Sequence, residues 1–232
     1  MIQAIFFDFN GVIIDDESIQ MKAYQQVLRE SEIELTEEWY FDALGMDDKT
    51  FVRAMFERAN RLLSEEDFEK VLGAKTELHR KMIEYELPLF PGVLNFLKSS
   101  ARHFSLGLVS MANSVEIEYV FERAKLNPLF TVIITSEDVT RCKPAPDCYA
   151  EGLARMNAFR QNKRLLPLLP EECLAIEDSP PGIRAAADVG MKTLGVTNTV
   201  TESELRAAGA DVVTYGLADW TVDSVKLVFD RH

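Results

Sequence analysis

Short apolar runs that end on a polar residue, separated by helix-forming stretches, constrain this chain more than any other feature. Five are clear: residues 2–7 before Asp8, 105–109 before Ser110, 130–134 before Thr135, 173–176 before Glu177 and Asp178, and 192–196 before Thr197. A sixth and shorter run covers 211–214. Near-continuous apolar runs of this length fit strands buried on both faces, as in parallel sheets. Helices are expected over 92–100, 114–124, 147–156 and 182–189, so strands and helices alternate. That alternation predicts an α/β fold with a doubly wound parallel sheet. Polar residues at the strand ends then gather along one edge, where open α/β sheets bind ligands.

Residues 16–86 break the alternation. Strand runs vanish there, and helices are expected near 18–31, 37–43, 48–62 and 65–86, with Thr36 and Ser64 as N-caps. Glu65, Glu66 and Asp67 suit the first turn of the last of these, where the helix dipole favours negative charge. The economical organisation is a small all-helical cap domain (16–86) inserted after the first strand of a core domain (1–15 and 87–232). Pro88 to Gly92 marks the return to the sheet. Residues 155–172 carry Arg155, Arg160, Lys163, Arg164, Pro167 and Pro170, and are expected to be a surface excursion. No internal repeat or low-complexity segment is visible.

Charge narrows the partners. Lys and Arg number 25 against 38 Asp and Glu, a net −13, which repels nucleic acid. No apolar run approaches the roughly 20 residues of a membrane span, so no membrane partner is expected and a cytoplasmic location is. The three cysteines, Cys142, Cys148 and Cys173, show no CxxC pairing, which disfavours a disulfide framework or structural zinc.

Four sets of polar residues carry chemistry. Asp8 tips the first strand, with Gly11 permitting a tight turn behind it. Glu177 and Asp178 end another strand, so a parallel sheet brings three acids together. Three anions need a cation, and oxygen-only ligands with a substrate phosphate suit Mg²⁺. Lys143 sits in a loop stiffened by Pro144 and Pro146, where it can neutralise the nucleophile and a bound phosphoryl group. Ser110 offers a hydroxyl ahead of a helix whose free amides favour an anion.

In chain order, this set resembles the haloacid dehalogenase-like (HAD) hydrolase superfamily, in its phosphatase and β-phosphoglucomutase-like branch with a helical cap. Asp8-Phe9-Asn10-Gly11-Val12 is similar to the family's DxDGV motif, and Leu108-Val109-Ser110 to its serine/threonine motif. Lys143-Pro144 and Ile176-Glu177-Asp178 match its lysine and terminal acidic motifs. The resemblance implies a Rossmann-like core and an aspartyl phosphate formed on Asp8. It also implies Mg²⁺ between Asp8, the Asn10 backbone carbonyl and Asp178, with support from Glu177. Ser110 and Lys143 would hold the phosphoryl oxygens.

Asn10 departs from the pattern. Family phosphatases carry there an aspartic acid that protonates the leaving alcohol and then deprotonates water, and an amide does neither. General acid–base catalysis is worth about 10²–10⁴-fold, so an impaired or unusual phosphatase of small phosphorylated metabolites, sugar phosphates among them, is expected. A sugar phosphomutase and a catalytically quiet phospholigand-binding protein are the alternatives. Mutase relatives often carry a histidine near Gln20, which tilts the reading towards hydrolysis. Residues 44–49 resemble the family's specificity loop, with Gly45 letting backbone approach substrate and Lys49 available to a second anionic group. His79 and His103 are read as surface or packing residues, and Cys142 as a small packing residue.

Overall fold

All six runs form strands: β1 (Ala4–Phe7), β2 (Ser105–Val109), β3 (Val132–Ile134), β4 (Cys173–Glu177), β5 (Lys192–Val196) and β6 (Val212–Thr214). In the computed structural model, which describes residues 1–230, they make one sheet in the order β3-β2-β1-β4-β5-β6, with every pairing parallel. The doubly wound α/β expectation holds. The strand order turns around at β1, which pairs with β2 on one side and β4 on the other. Phe7 stands level with Leu108 and with Ile176, so Asp8, Ser110 and Glu177 emerge at one end of three adjacent strands.

The described helices are α1 (Glu17–Arg29), α2 (Glu37–Asp42), α3 (Asp48–Arg58), α4 (Glu65–Met82), α5 (Val93–Ser100), α6 (Ser114–Ala124), α7 (Asp147–Asn162), α8 (Pro180–Val189), α9 (Glu202–Ala207) and α10 (Val222–Phe229). Thr36 and Ser64 cap α2 and α4 by accepting from the Trp39 and Asp67 amides. Helices α9 and α10 have no counterpart in the sequence reading. Both start from capping boxes, Thr201 with Glu204 and Thr221 with Ser224.

Strand period 2 sorts the core into layers. Ile5 and Phe7 face one apolar cluster with Phe96, Leu97, Val120 and Phe121. Ala4 and Phe6 face the other, with Tyr149, Met156 and Ala185. Each fully buried large side chain contributes about 1.5–3 kcal/mol, so β1 is pinned from both faces and its tip is rigidly placed. A third cluster, with Tyr24, Leu28, Phe51, Met55 and Phe68, lies wholly within α1–α4. That segment therefore has an apolar centre of its own.

Residues 155–172 lie largely at the surface, as expected, but their first part is helical and the rest is held against it. Helix α7 runs on to Asn162 with Met156 buried. The chain then returns along it: Asn157 exchanges two hydrogen bonds with the Leu168 backbone, and Arg160 donates to the Leu166 carbonyl. Buried Leu168 anchors the strap. The local positive charge and prolines obscured this packing. Among the described residues no helix is long and apolar enough to cross a membrane.

Candidate active site

Asp8, Glu177 and Asp178 converge as the register requires, each offering an oxygen within 4.8 Å of the others. Lys143 is 4% exposed and bridges two of them, 3.1 Å from Asp8 Oδ2 and 2.7 Å from Glu177 Oε1, while also donating to the Val109 carbonyl at 3.2 Å. The Lys143–Pro144 peptide is cis. Tyr149 Oη donates to the same Glu177 oxygen at 2.6 Å, and Thr199 Oγ1 donates to Asp178 Oδ2. Asp8 Oδ1 accepts from the Phe9 amide at 2.7 Å.

Three carboxylates face one ammonium, and the proton affinities record the imbalance. Burial, then Asp8 and Asp178, push Glu177 above the ordinary carboxylate range against the pull of Lys143. Burial, then Asp8 and Glu17, do the same to Asp178. Burial works against the charged form of Lys143, yet Asp8 and Glu177 hold its affinity above that of a free lysine. A divalent cation would remove the imbalance, and a set of hard carboxylate oxygens fits Mg²⁺. Gly11 is part of the fit: at φ +72° any Cβ there would collide with the Asp178 carboxylate.

Ser110 is buried beside this cluster, its Oγ accepting from the Ala112 amide at 3.0 Å. Asn10 turns its side chain the other way. Its Nδ2 donates to both oxygens of Asp16, which is fully buried and also contacts His79 Nε2 at 2.7 Å and Gln20 Nε2 at 3.1 Å.

Helices α1–α4 close the cavity above the strand ends. Its walls combine Asp8, Asn10, Ser110, Lys143 and Asp178 with Glu17, Gln20, Tyr24, Tyr40, Asp48 and Lys75 of the helical segment and Glu116 of α6. Lys75, 1% exposed, pairs with Asp48 and Glu116, both at 2.9 Å. Burial opposes its charge, but the two carboxylates outweigh it and raise its proton affinity. Asp48 also accepts from Tyr24 and from Asn113 Nδ2. Burial pushes Asp48 up, and Lys75, Tyr24 and Asn113 together bring it below its ordinary value.

This arrangement can attack, hold and neutralise a phosphoryl group. The model of the family described as haloacid dehalogenase-like hydrolase matches residues 5–196. The chain belongs to the haloacid dehalogenase-like hydrolases. This hydrolase is 27% identical over 213 residues to the phosphorylated carbohydrates phosphatase of Thermotoga maritima, covering 90% of this chain and 92% of that protein. It is 25% identical over 251 residues to the beta-phosphoglucomutase of Bacillus subtilis, covering 99% and 96%. Among solved structures, the beta-phosphoglucomutase of Clostridium difficile matches with a TM-score of 0.85 at 20% identity, covering 99% and 98%, a likeness of fold. Relatives that carry phosphatase names support a phosphoric monoester hydrolase.

Of the residues expected at the site, the hydrolase brings together Asp8, Asn10, Ser110, Lys143 and Asp178 around the cavity, with Glu177 buried beneath Lys143. Gly45 also lines it. At φ +87° its backbone lies against Pro181 and the Lys143 carbonyl, where a Cβ would be crowded. Lys49 does not belong there. Asp47 caps α3, so Asp48 faces the cavity and Lys49, one residue or about 100° further round, is exposed beside a separate surface hollow with Gly73 and Arg80. The buried cation on the helical side is Lys75.

Of the two readings of His79, surface or packing, the structure gives the buried one, 1% exposed against Asp16. Lys75 and His79 follow Val71 at steps of four on α4, the face that carries Phe68. Charged residues on an otherwise apolar stripe were the available signal. Glu17 and Glu116, each in the first turn of its helix, read as ordinary dipole-favoured acids and gave no such signal.

Proposed function

We propose that this hydrolase is a Mg²⁺-dependent phosphatase of small phosphate esters, including sugar phosphates, that works through an aspartyl phosphate on Asp8. The observation that carries this is the Asp8 carboxylate set between Lys143 and the acidic pair Glu177 and Asp178. Asp8 is the nucleophile, and Lys143 with Ser110 holds the phosphoryl oxygens. Asp8, the Asn10 backbone carbonyl and Asp178 would hold Mg²⁺, with support from Glu177. The ion supplies positive charge against the transferring phosphoryl group. Residues 16–86 act as the cap over a core of 1–15 and 87–232, and Gly45 brings cap backbone to the substrate.

A hydroxylated substrate is favoured by Gln20. Its side chain lines the cavity, with Nε2 between the carboxylates of Asp16 and Glu116 at 3.1 and 3.0 Å, leaving Oε1 as the free atom of the amide. That oxygen is buried without a hydrogen-bond partner, an acceptor suited to a substrate hydroxyl. Gln20 carries no titrating proton, which supports hydrolysis over the mutase reaction.

The test is phosphate release from a panel of small phosphate esters with Mg²⁺, comparing the wild type with Asp8→Asn. Loss of at least about 10³-fold in Asp8→Asn, with a phosphoenzyme trapped on wild type alone, supports the reading. Release that survives Asp8→Asn sinks it. Silence on the panel with ligand-dependent and Mg²⁺-dependent stabilisation indicates a phospholigand-binding protein instead.

A further inference from the structure

We propose that Glu17 is the catalytic acid and base of this site, carrying the proton that Asn10 cannot; the inference rests on the phosphatase reading above. The argument is one of elimination around the cavity wall, followed by position. Five carboxylates line the cavity: Asp8, Glu17, Asp48, Glu116 and Asp178. Asp8 is spent as the nucleophile, and Asp178 belongs to the acidic cluster. Asp48 and Glu116 are both tied to buried Lys75 at 2.9 Å. Moving a proton onto either would leave that ammonium short of a counter-charge.

Glu17 is the carboxylate that this elimination leaves. Among the described residues it forms no ion pair, and its one hydrogen bond comes from Tyr40 Oη to Oε2 at 2.7 Å. The bond orients the carboxyl group and leaves Oε1 uncommitted. Other proton carriers nearby are ruled out by place. Asp16 and His79 are 0% and 1% exposed and sit behind Asn10, outside the cavity lining. Tyr24 has given its hydroxyl proton to a bond with Asp48.

The surroundings also give Glu17 a suitable proton affinity. Burial raises it first and Asp16 second, Tyr40 lowers it, Asp8 raises it and Lys75 lowers it, leaving about 7. Asp178, across the cavity, repels the same carboxylate. A carboxyl group poised near neutrality can both give and take a proton.

In the first half-reaction an Asp8 oxygen bonds phosphorus as the bond from phosphorus to the ester oxygen breaks. The Glu17 carboxyl passes its proton to that departing oxygen. In the second half, the Glu17 carboxylate takes a proton from water while the water oxygen bonds phosphorus and the Asp8–phosphorus bond breaks. Phosphate leaves, and both side chains return to their starting states.

The experiment is a leaving-group series on wild type and Glu17→Gln, with p-nitrophenyl phosphate at one end and glycerol phosphate at the other. The alkyl ester needs a protonated leaving group and the aryl ester does not. In Glu17→Gln, kcat/KM for the alkyl ester falls about 10²–10⁴-fold, while that for the aryl ester falls less than tenfold. A phosphoenzyme accumulates on the aryl ester, because its hydrolysis has lost the base. Glu17→Asp, one methylene shorter, retains part of the alkyl-ester rate, and thermal melts confirm that both variants fold. A uniform fall across the series, or a rise in KM alone, overturns the proposal, since a residue that only binds substrate behaves so. A wild type confined to aryl and acyl phosphates overturns it too, with Asp8 still the nucleophile. Turnover insensitive to Asp8→Asn removes the phosphatase reading itself.

Discussion

Asn10 offers one amide nitrogen to both oxygens of the Asp16 carboxylate, at 2.9 and 3.0 Å. Asn10 is therefore a donor built into a buried network. An acid there would meet a second, fully buried carboxylate. Asn10→Asp is expected to lower stability at pH 8 by about 1–3 kcal/mol, because two carboxylates at hydrogen-bond distance do not both ionise readily. The folded pair would hold a proton that the unfolded chain releases, so the deficit shrinks as pH falls towards 5. Denaturant melts at the two pH values check this. With Glu17 carrying the proton, phosphate release in the same variant rises less than tenfold.

Glu17 makes a pH-dependent contribution of its own. Its folded affinity of about 7 exceeds the ordinary 4.5, so the folded state binds more protons between those values and stability declines as pH rises through that window. Glu17→Gln removes the decline. In chelator, the variant is expected to be more stable than wild type by about 1–3 kcal/mol at pH 8, with the gain fading below pH 5. Equal stability at both pH values would contradict the raised affinity.

Lys75 holds two buried acids, and Lys75→Met would strand them. Breaking a buried pair from one side costs about 3–5 kcal/mol. The loss should appear as a lower denaturation midpoint with an unchanged slope. Adding Asp48→Asn and Glu116→Gln to Lys75→Met should recover part of it.

Magnesium is expected to stabilise the fold through the acidic cluster. At a hundred times its dissociation constant a bound ion contributes about 2.7 kcal/mol. Asp178→Asn should weaken that response to Mg²⁺ while raising stability in chelator, because the carboxylate repulsion it relieves is present without the ion. Calorimetric melts with and without Mg²⁺ read both effects.

Much of the fold was legible because strand runs and their polar stops are local signals. Runs 105–109 and 192–196 match β2 and β5 to the residue, and Asp8, Ser110 and Glu177 lie at strand ends as the pattern requires. What stayed hidden depended on contacts across the chain. Glu116 becomes part of the cavity only when Lys75, 41 residues earlier, reaches it. Lys49 looked like the anion-binding lysine because its charge was visible, while the helix rotation that turns it away was not. The extent of α7 was missed for a similar reason, since the strap that packs on it is held by side chain to backbone bonds from Asn157 and Arg160.

The contacts between α1–α4 and the sheet side include many polar ones. Lys75 and Gln20 reach Glu116, Asn113 reaches Asp48, and Cys142 Sγ lies 3.3 Å from Asp47 Oδ2, while the helical segment keeps its own apolar cluster. A joint of this kind makes the two parts exchangeable in descent. A different helical segment need satisfy a few donors and acceptors along the seam and repack the few side chains, Ile19 and Ile83 among them, that join the apolar cluster of the sheet. The helical segment can then change along a lineage while the strand-end side chains are inherited intact.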